Sequence, residues 1–268
     1  MREDSLDLFD LAALDSSLAG TIFAGNLHFA PITDSTNSDA QAAARSAAPH
    51  GSVYFADEQL AGRGRGGHDW HSPAGDGLYV SMLLRPAIPA ARLPLLPLAA
   101  GLAAAEAIRA VAGSVVDLRW PNDLLIGPKK VGGILVESKI EGQMADFAVV
   151  GIGINVHQRS FDAGLSTRPT SLDVESGRKV SRQSLLVALL KSLEREALGL
   201  LDSAAGITVP ARVEEASTWI RGRRVEVHGP QACTGVTAGL DEHGFLLVRT
   251  EDELVTVQTG GIRSTEIG

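Results

Sequence analysis

Three textures of apolar and polar positions follow one another along this chain. In the first, short apolar runs that read as strands alternate with alanine- and leucine-rich helical stretches. Residues 52–59 (SVYFADEQ) are rich in β-formers, and LYVSMLLRP reads as a buried strand stopped by Pro86. LPLLPLAAGLAAAEAIRAVAG is apolar on nearly all sides, which predicts a helix packed on every face from about residue 97 onward. DSTNSDAQAAARSAA (34–48) opens with capping residue types and continues as an alanine-rich helix. VVDLRW reads as a strand running into a proline turn. KKVGGILVESKI and ADFAVVGIGINV read as two more strands, with EGQM as the hairpin turn between them. Ahead of all these, SLDLFDLAALDSSL has the pattern of a short amphipathic helix.

The second texture is helical: SRQSLLVALLKSLEREALGLLDS is a long amphipathic helix with a serine cap, and VPARVEEAST is a shorter one. The third begins after Trp219. RRVEVHG, ACTGVTAGLDEHGFLLVRT and ELVTVQTGG are short alternating strands broken by turn residues, which predicts a small β-barrel or sandwich. A division near residue 218 gives a main domain over 1–218 and a small β-domain over 219–268. The sequence shows no internal repeat.

Composition narrows the function classes. With 268 residues and 44% hydrophobic positions the chain can bury a core without disulfide or metal staples. Its single cysteine, Cys233, excludes an internal disulfide framework and a cysteine-rich zinc site. No apolar window is read as a membrane span, and no basic stretch followed by an apolar run opens the chain, so the expected setting is the reducing cytoplasm, with no membrane partner. The net charge of −8 argues against a general nucleic-acid binder. Within this acidic chain, basic residues gather at Arg63/Arg65, Lys129/Lys130 and Arg221/Arg223/Arg224; the first two look like anion sites, the third like a solvated turn between domains.

QLAGRGRGGHDW (59–70) is the most informative stretch. Glycines let a backbone approach a ligand closely and offer consecutive N–H groups to an anion. The two arginines add planar donors suited to carboxylate or phosphate. Trp70 could offer a flat face to an aromatic base. A solvated basic loop is the competing reading, weakened by the strands on both sides. In RWPNDLLIG, Asn122 and Asp123 suit either Mg²⁺ or a ribose, or else an Asx turn. In KKVGGILVE, Lys130 leads into Gly132 and Gly133, and reads either as a cation for an anionic ligand or as an edge lysine beside a bulge. GIGINV lacks the third glycine and the following helix of a dinucleotide fingerprint. P-loop, G-x-S-x-G and H-E-x-x-H motifs are absent.

The order DSTN, EQLAGRGRGGHDWHSPAGDGLYVSMLLRP, RWPNDLLIGPKKVGGILVE, GIGINV closely resembles the biotin–protein (biotin–[acetyl-CoA-carboxylase]) ligase family, and the likeness extends to TGGI near the C-terminus. The resemblance implies an α+β fold: a mixed-sheet catalytic domain of the class II aminoacyl-tRNA synthetase/biotin–lipoate ligase type, followed by a small SH3-like β-barrel. It implies ATP and biotin as substrates, Mg²⁺, and as partner the biotin carboxyl carrier protein of acetyl-CoA carboxylase. Biotin would be activated to biotinyl-5′-AMP and passed to a lysine ε-amine. Carried over by position, Ser35, Thr36, Asn37, Gln59, Arg63, Gly64, Arg65, Lys130, Gly132 and Gly133 would hold biotin. Arg65, His68, Trp70, Asn122, Asp123, Lys130 and Asn155 would hold ATP and the adenylate. Arg65 and Lys130 would carry the catalysis, and Asp123 would be a metal ligand.

Two positions depart from the family pattern: His68 stands where an arginine is usual, and Arg119 stands for the lysine before WPND. The stretch ahead of Asp34 is shorter than the roughly 60 residues a helix-turn-helix domain needs, so a ligase-only form is expected. Three rivals remain: a lipoate–protein ligase, a biotin-responsive DNA-binding repressor, and a non-catalytic biotin or nucleotide binder. The sequence leaves open whether the chain forms a homodimer.

Overall fold

The computed structural model describes residues 9–85, 88–162, 164–201 and 208–265. Pro86, expected to stop a strand, and the first residues of the N-terminal amphipathic stretch lie outside these. The chain runs α1 (Leu11–Ser17), β1 (Leu27–Thr33), α2 (Thr36–Arg45), β2 (Ser52–Gln59), β3 (Gly77–Leu84), α3 (Leu95–Ala112), β4 (Asp117–Arg119), β5 (Asp123–Ile126), β6 (Lys129–Glu141) and β7 (Met144–Asn155). Then come α4 (Leu172–Ser176), α5 (Arg182–Leu201) and α6 (Val209–Ala216), followed by β8 (Arg221–His228), β9 (Cys233–Leu240), β10 (Leu246–Arg249), β11 (Leu254–Val257) and β12 (Gly261–Ser264).

The first seven strands make one mixed sheet in the order β1-β2-β3-β7-β6-β5-β4, parallel only between β1 and β2. Strands alternate their side chains between two faces. Val80, Met82, Val150, Ile152 and Ile154 point to one face, where α3 and α5 cover them. Leu83, Phe147 and Val149 point to the other, under Ala40 and Ala44 of α2. The all-round apolar pattern of α3 is explained by its place between the sheet, α5 and α6. By length and composition α3 is apolar enough to cross a membrane, which the sequence reading had not allowed for; in the fold it is a core helix with 61% of its residues buried. Sequence pattern also missed β1 and β5. Pro31 hides β1, which lies on the sheet edge where a missing N–H is tolerated. β5 is four residues long and follows directly on a turn.

Capping differs from expectation in one instructive place. Ser35 makes no side-chain cap on α2; instead Gln59 Oε1, at the end of β2, accepts the Thr36 amide at 2.9 Å. The helix start is thereby fixed by tertiary contact. Ser181 does cap α5, accepting the Ser184 amide at 3.2 Å.

The C-terminal strands form a five-stranded antiparallel sheet, β11-β10-β9-β8-β12, of the small SH3-like kind expected. Asp241 Oδ1 accepts the amides of His243 and Phe245, making the turn that DEHG announced. The connection between α6 and β8, where the expected division falls, is tied to β4: Ser217 Oγ donates to Leu118 O at 2.5 Å and Thr218 Oγ1 to Asp117 Oδ2 at 2.6 Å. Trp120 Nε1 donates to Gly244 O at 3.0 Å, and both sheets share one continuous apolar cluster. The Arg221/Arg223/Arg224 cluster is solvated at Arg221 and Arg224, as expected, but it is a strand and not a turn. These residues start β8, where Arg221 pairs with Glu214 at 2.8 Å and Arg223 lies 4.4 Å from the Trp219 ring.

At the start of α5, Arg182 is only 1% exposed, bonded to Asp57 Oδ1 at 2.7 Å and Gly77 O at 3.3 Å, and sits 5.0 Å from the Phe9 ring. Removing one partner of a buried ion pair leaves the other uncompensated. Since Asp57 keeps some exposure, Arg182→Ala is expected to cost about 3 kcal/mol, the lower end for buried pairs, read by urea unfolding. A loss below about 1 kcal/mol would mean the clamp is not structural.

Candidate active site

A cleft of about 1250 Å³ opens on the α2 face of the main sheet and extends to the C-terminal sheet. Its floor follows from strand register. Gly133 of β6 stands opposite Gly153 of β7, and Gly151 stands between Ser81 of β3 and Leu135 of β6. These glycines share the cleft face, so the floor is bare backbone. A Cβ on Gly151 would overlap Asn37 Oδ1, and one on Gly153 would overlap the Trp70 indole. GIGIN is therefore a packing motif for two cleft side chains, not a dinucleotide turn.

Above the floor at one end sits a buried polar chain. Thr36 Oγ1 bonds Gln59 Oε1 at 3.1 Å and meets Ser81 Oγ at 2.7 Å. Ser81 Oγ donates to Asn37 Oδ1 at 2.5 Å, and Asn37 Nδ2 donates to Glu137 Oε2 at 2.9 Å. Ser35, Thr36 and Asn37 are all at least 95% buried, and the Gln59 amide nitrogen is held by Ser72 Oγ at 2.8 Å. The sequence reading missed Ser81 and Glu137. The signal was present: a serine in the otherwise apolar and aromatic run GLYVSMLL, and a carboxylate two and four residues beyond Leu135 and Gly133 on one face.

The Gly/Arg stretch forms a short hairpin flap. Gly64 N donates to His68 O at 2.7 Å and Trp70 N to Gly62 O at 2.8 Å. Gly66 and Gly67 turn it with φ of 71° and 79°, a region costly for other residues. Arg63 reaches Glu137 Oε2 at 3.0 Å, while Arg65 crosses to the C-terminal sheet, donating to Gly260 O and to Thr259 Oγ1, the latter at 2.8 Å. The His68 side chain is exposed at the flap tip. Trp70 Nε1 is buried without a hydrogen-bond partner.

Lys130 reaches this face through a β-bulge. Leu124 pairs with Gly132 and Leu125 with Lys130, so Val131 is the extra residue. Strict alternation from Gly133 would have sent Lys130 to the opposite face. Of the edge-lysine reading of KKVGG only the bulge holds, because β6 is an interior strand; the lysine lines the cleft. Lys130 Nζ lies 2.5 Å from Asp123 Oδ1 and 5.5 Å from the Trp70 ring centroid. A Cβ on Gly133 would stand in ordinary contact with both side chains, whereas one on Gly132 would press on Gly153 O and Leu124, so Gly132 serves strand packing.

Asp123 was expected as a metal ligand, and the donor set does not fit. Its Oδ1 is taken by Lys130 and its Oδ2 by Arg119 through both Nε (3.0 Å) and Nη2 (2.5 Å). Among the described residues no group of three or more His, Cys, Asp or Glu side chains could hold a metal ion. Burial alone would raise the Asp123 pKa, but Lys130 and then Arg119 outweigh it and hold the carboxyl below its ordinary value of 3.8. Asn122 donates to Ile134 O at 2.8 Å and Asn155 to Thr170 O at 2.9 Å, so one N–H of each amide braces a cleft wall.

The model of the Biotin/lipoate A/B protein ligase family matches residues 29–155. The bifunctional ligase/repressor BirA of Bacillus spizizenii is 34% identical, over 88% of this chain and 73% of its own length. The biotin–[acetyl-CoA-carboxylase] ligase of Paracoccus denitrificans is also 34% identical, over 81% of this chain and 91% of its own. Among solved structures, the biotin protein ligase of Aquifex aeolicus in complex with biotin and ATP superposes with a TM-score of 0.77 at 31% identity, covering 90% of this chain and all of that one.

A depressed carboxyl pKa adds stability that is complete above its unfolded value and is lost as pH falls through the folded one. The stability advantage of the native chain over Asp123→Asn should therefore be full above about pH 4 and shrink below it. Urea melts of both proteins from pH 6 down to pH 3 check this; an advantage that does not change with pH would contradict the ion-pair account.

Proposed function

The chain belongs to the biotin/lipoate A/B protein ligase family as an ATP-dependent biotin ligase, and we propose that its reaction runs in two steps in the cleft described above. In the first, a biotin carboxylate oxygen attacks the α-phosphorus of ATP; an O–P bond forms, the bond to the β-phosphate bridging oxygen breaks, and pyrophosphate leaves. In the second, a lysine ε-amine of a biotin carboxyl carrier domain attacks the acyl carbon, AMP leaves, and the amine nitrogen gives up its proton. Both reactants of the first step are anions, so fixed cations must offset charge as it builds on the phosphoryl oxygens.

The observation that carries this reading is the meeting of Lys130, Trp70 and the Arg63/Arg65 flap over a floor of bare backbone. On this reading the polar chain Gln59–Thr36–Ser81–Asn37 faces the ureido end of biotin, where matched donors and acceptors discriminate strongly. Gly133, with no side chain, leaves room for the carboxylate beside Lys130, while Gly153 seats the Trp70 indole. Lys130 and the flap arginines face the carboxylate–phosphate junction, and Trp70 offers its ring face and its unpaired N–H. Asn122, Asn155 and His68 border the nucleotide end. Lys130 and Arg119 already neutralise Asp123, so Mg²⁺ would enter with the phosphates of ATP as part of the substrate. A closed flap keeps water from a reactive mixed anhydride. The acidic net charge and single cysteine support a cytoplasmic enzyme that acts on a carrier protein without binding DNA.

Biotin-dependent exchange of pyrophosphate into ATP, run beside lipoate, tests the first step: exchange with biotin is expected, and exchange with lipoate alone or with neither acid would overturn the reading. Lys130→Ala and Arg65→Ala should each lower exchange by about 100-fold or more, the scale of losing one preorganised donor to developing charge, while both remain folded at the assay temperature; Lys130→Ala should melt lower than the native chain, because Asp123 loses a partner. Full activity in both would remove these two residues from the site.

A further inference from the structure

Glu137 occupies a place that the chemistry above does not explain. It stands on the cleft face of β6, in the row of Gly133 and Leu135, yet it is not among the residues that line the cleft. One oxygen, Oε2, accepts both Asn37 Nδ2 at 2.9 Å and Arg63 Nη2 at 3.0 Å. Asn37 belongs to the buried polar chain at the closed end; Arg63 belongs to the flap. The carboxylate is the covalently fixed point where floor and flap meet.

We propose that Glu137 is a positioning residue that couples the two: it orients the Asn37 carboxamide towards the ligand pocket and latches the flap through Arg63. This deepens the ligase reading and rests on it for the ligand, but the latch itself is a property of the free protein. The Asn37 amide has two orientations differing by a flip. Ser81 Oγ donates to its Oδ1, the atom of the amide that lies nearest Gly151, while Glu137 accepts from its Nδ2. With a carboxylate behind it the amide nitrogen must point to Glu137, because a carboxylate has no proton to donate. Arg63 and Glu137 side chains are 43% and 29% exposed, and a pair so open to water is weak. Weakness suits a latch that must release for substrate entry, since a flap held by a strong pair would not open.

The two roles separate by substitution. Glu137→Gln keeps an acceptor for Asn37 but loses the charge that holds Arg63; Glu137→Ala loses both. In the ligand-free protein, hydrogen exchange at the Gly64 and Trp70 amides should rise about two- to fivefold in both variants, the scale of one exposed ion pair. With ATP present, Glu137→Gln should leave the KM for biotin within about twofold while releasing the adenylate faster, and Glu137→Ala should raise that KM by about tenfold, because the buried Asn37 amide nitrogen then keeps only its long 3.5 Å contact to Leu135 O. Exchange at the flap unchanged in both variants would overturn the latch, whatever the ligand proves to be. Equal KM values in Glu137→Gln and Glu137→Ala would overturn the orienting role. Should the native chain show no biotin-dependent exchange of pyrophosphate, the ligase reading falls, and the flap measurement still decides the latch.

Discussion

Gly133 and Gly153 stand opposite each other in the β6–β7 ladder, with Gly151 one pleat further along, so the cleft face of the sheet is bare backbone where its two longest strands meet. Glycine in a strand weakens it and leaves nothing to pack. That cost is offset by side chains brought from elsewhere: Asn37 from the start of α2 fills the space over Gly151, and Trp70 from the flap fills the space over Gly153. Flap, helix and floor are mutually dependent, and the cleft takes its shape from which atoms are left out of the sheet.

Electrostatics follow the same logic of mutual holding. Arg63, Arg65 and Lys130 are each engaged by the protein itself, through Glu137, the Thr259–Gly260 turn and Asp123. A cleft holding several uncompensated cations would repel itself and pull the flap apart. Partners that are weak or exposed keep the cations in place and yield to an anionic substrate that offers more contacts. Asp123 differs, being enclosed by Lys130 and Arg119 together; it serves to fix the lysine rather than to release it.

The second sheet is part of this arrangement and not an appendage. Its Thr259–Gly260 turn receives Arg65, its Gly244 turn receives the Trp120 indole, and its apolar face joins the main core. Arg119, which grips Asp123, lies 5.3 Å from the Trp219 ring, with Arg223 of β8 on the same ring. Through these contacts the orientation of the small domain bears on the position of Lys130.

Periodicity alone located most strands and the three long helices, because burial on one face or on all faces leaves its mark in the order of residues. Turn chemistry located the hairpins, and the Gly/Arg stretch announced an anion-seeking flap by composition. What pattern could not reach were matters of register and distance. It did not show that a bulge at Val131 returns Lys130 to the cleft face, that Gln59 rather than Ser35 secures the start of α2, or that Asp123 faces cations on both sides instead of a metal. Glu137 and Ser81 were invisible as site residues for the same reason. A side chain's type and its place in an alternating pattern are local properties written in the sequence, whereas its partners lie far along the chain, 100 residues away for Asn37 and Glu137 and 194 for Arg65 and Thr259, and only the packed fold brings them within bonding distance.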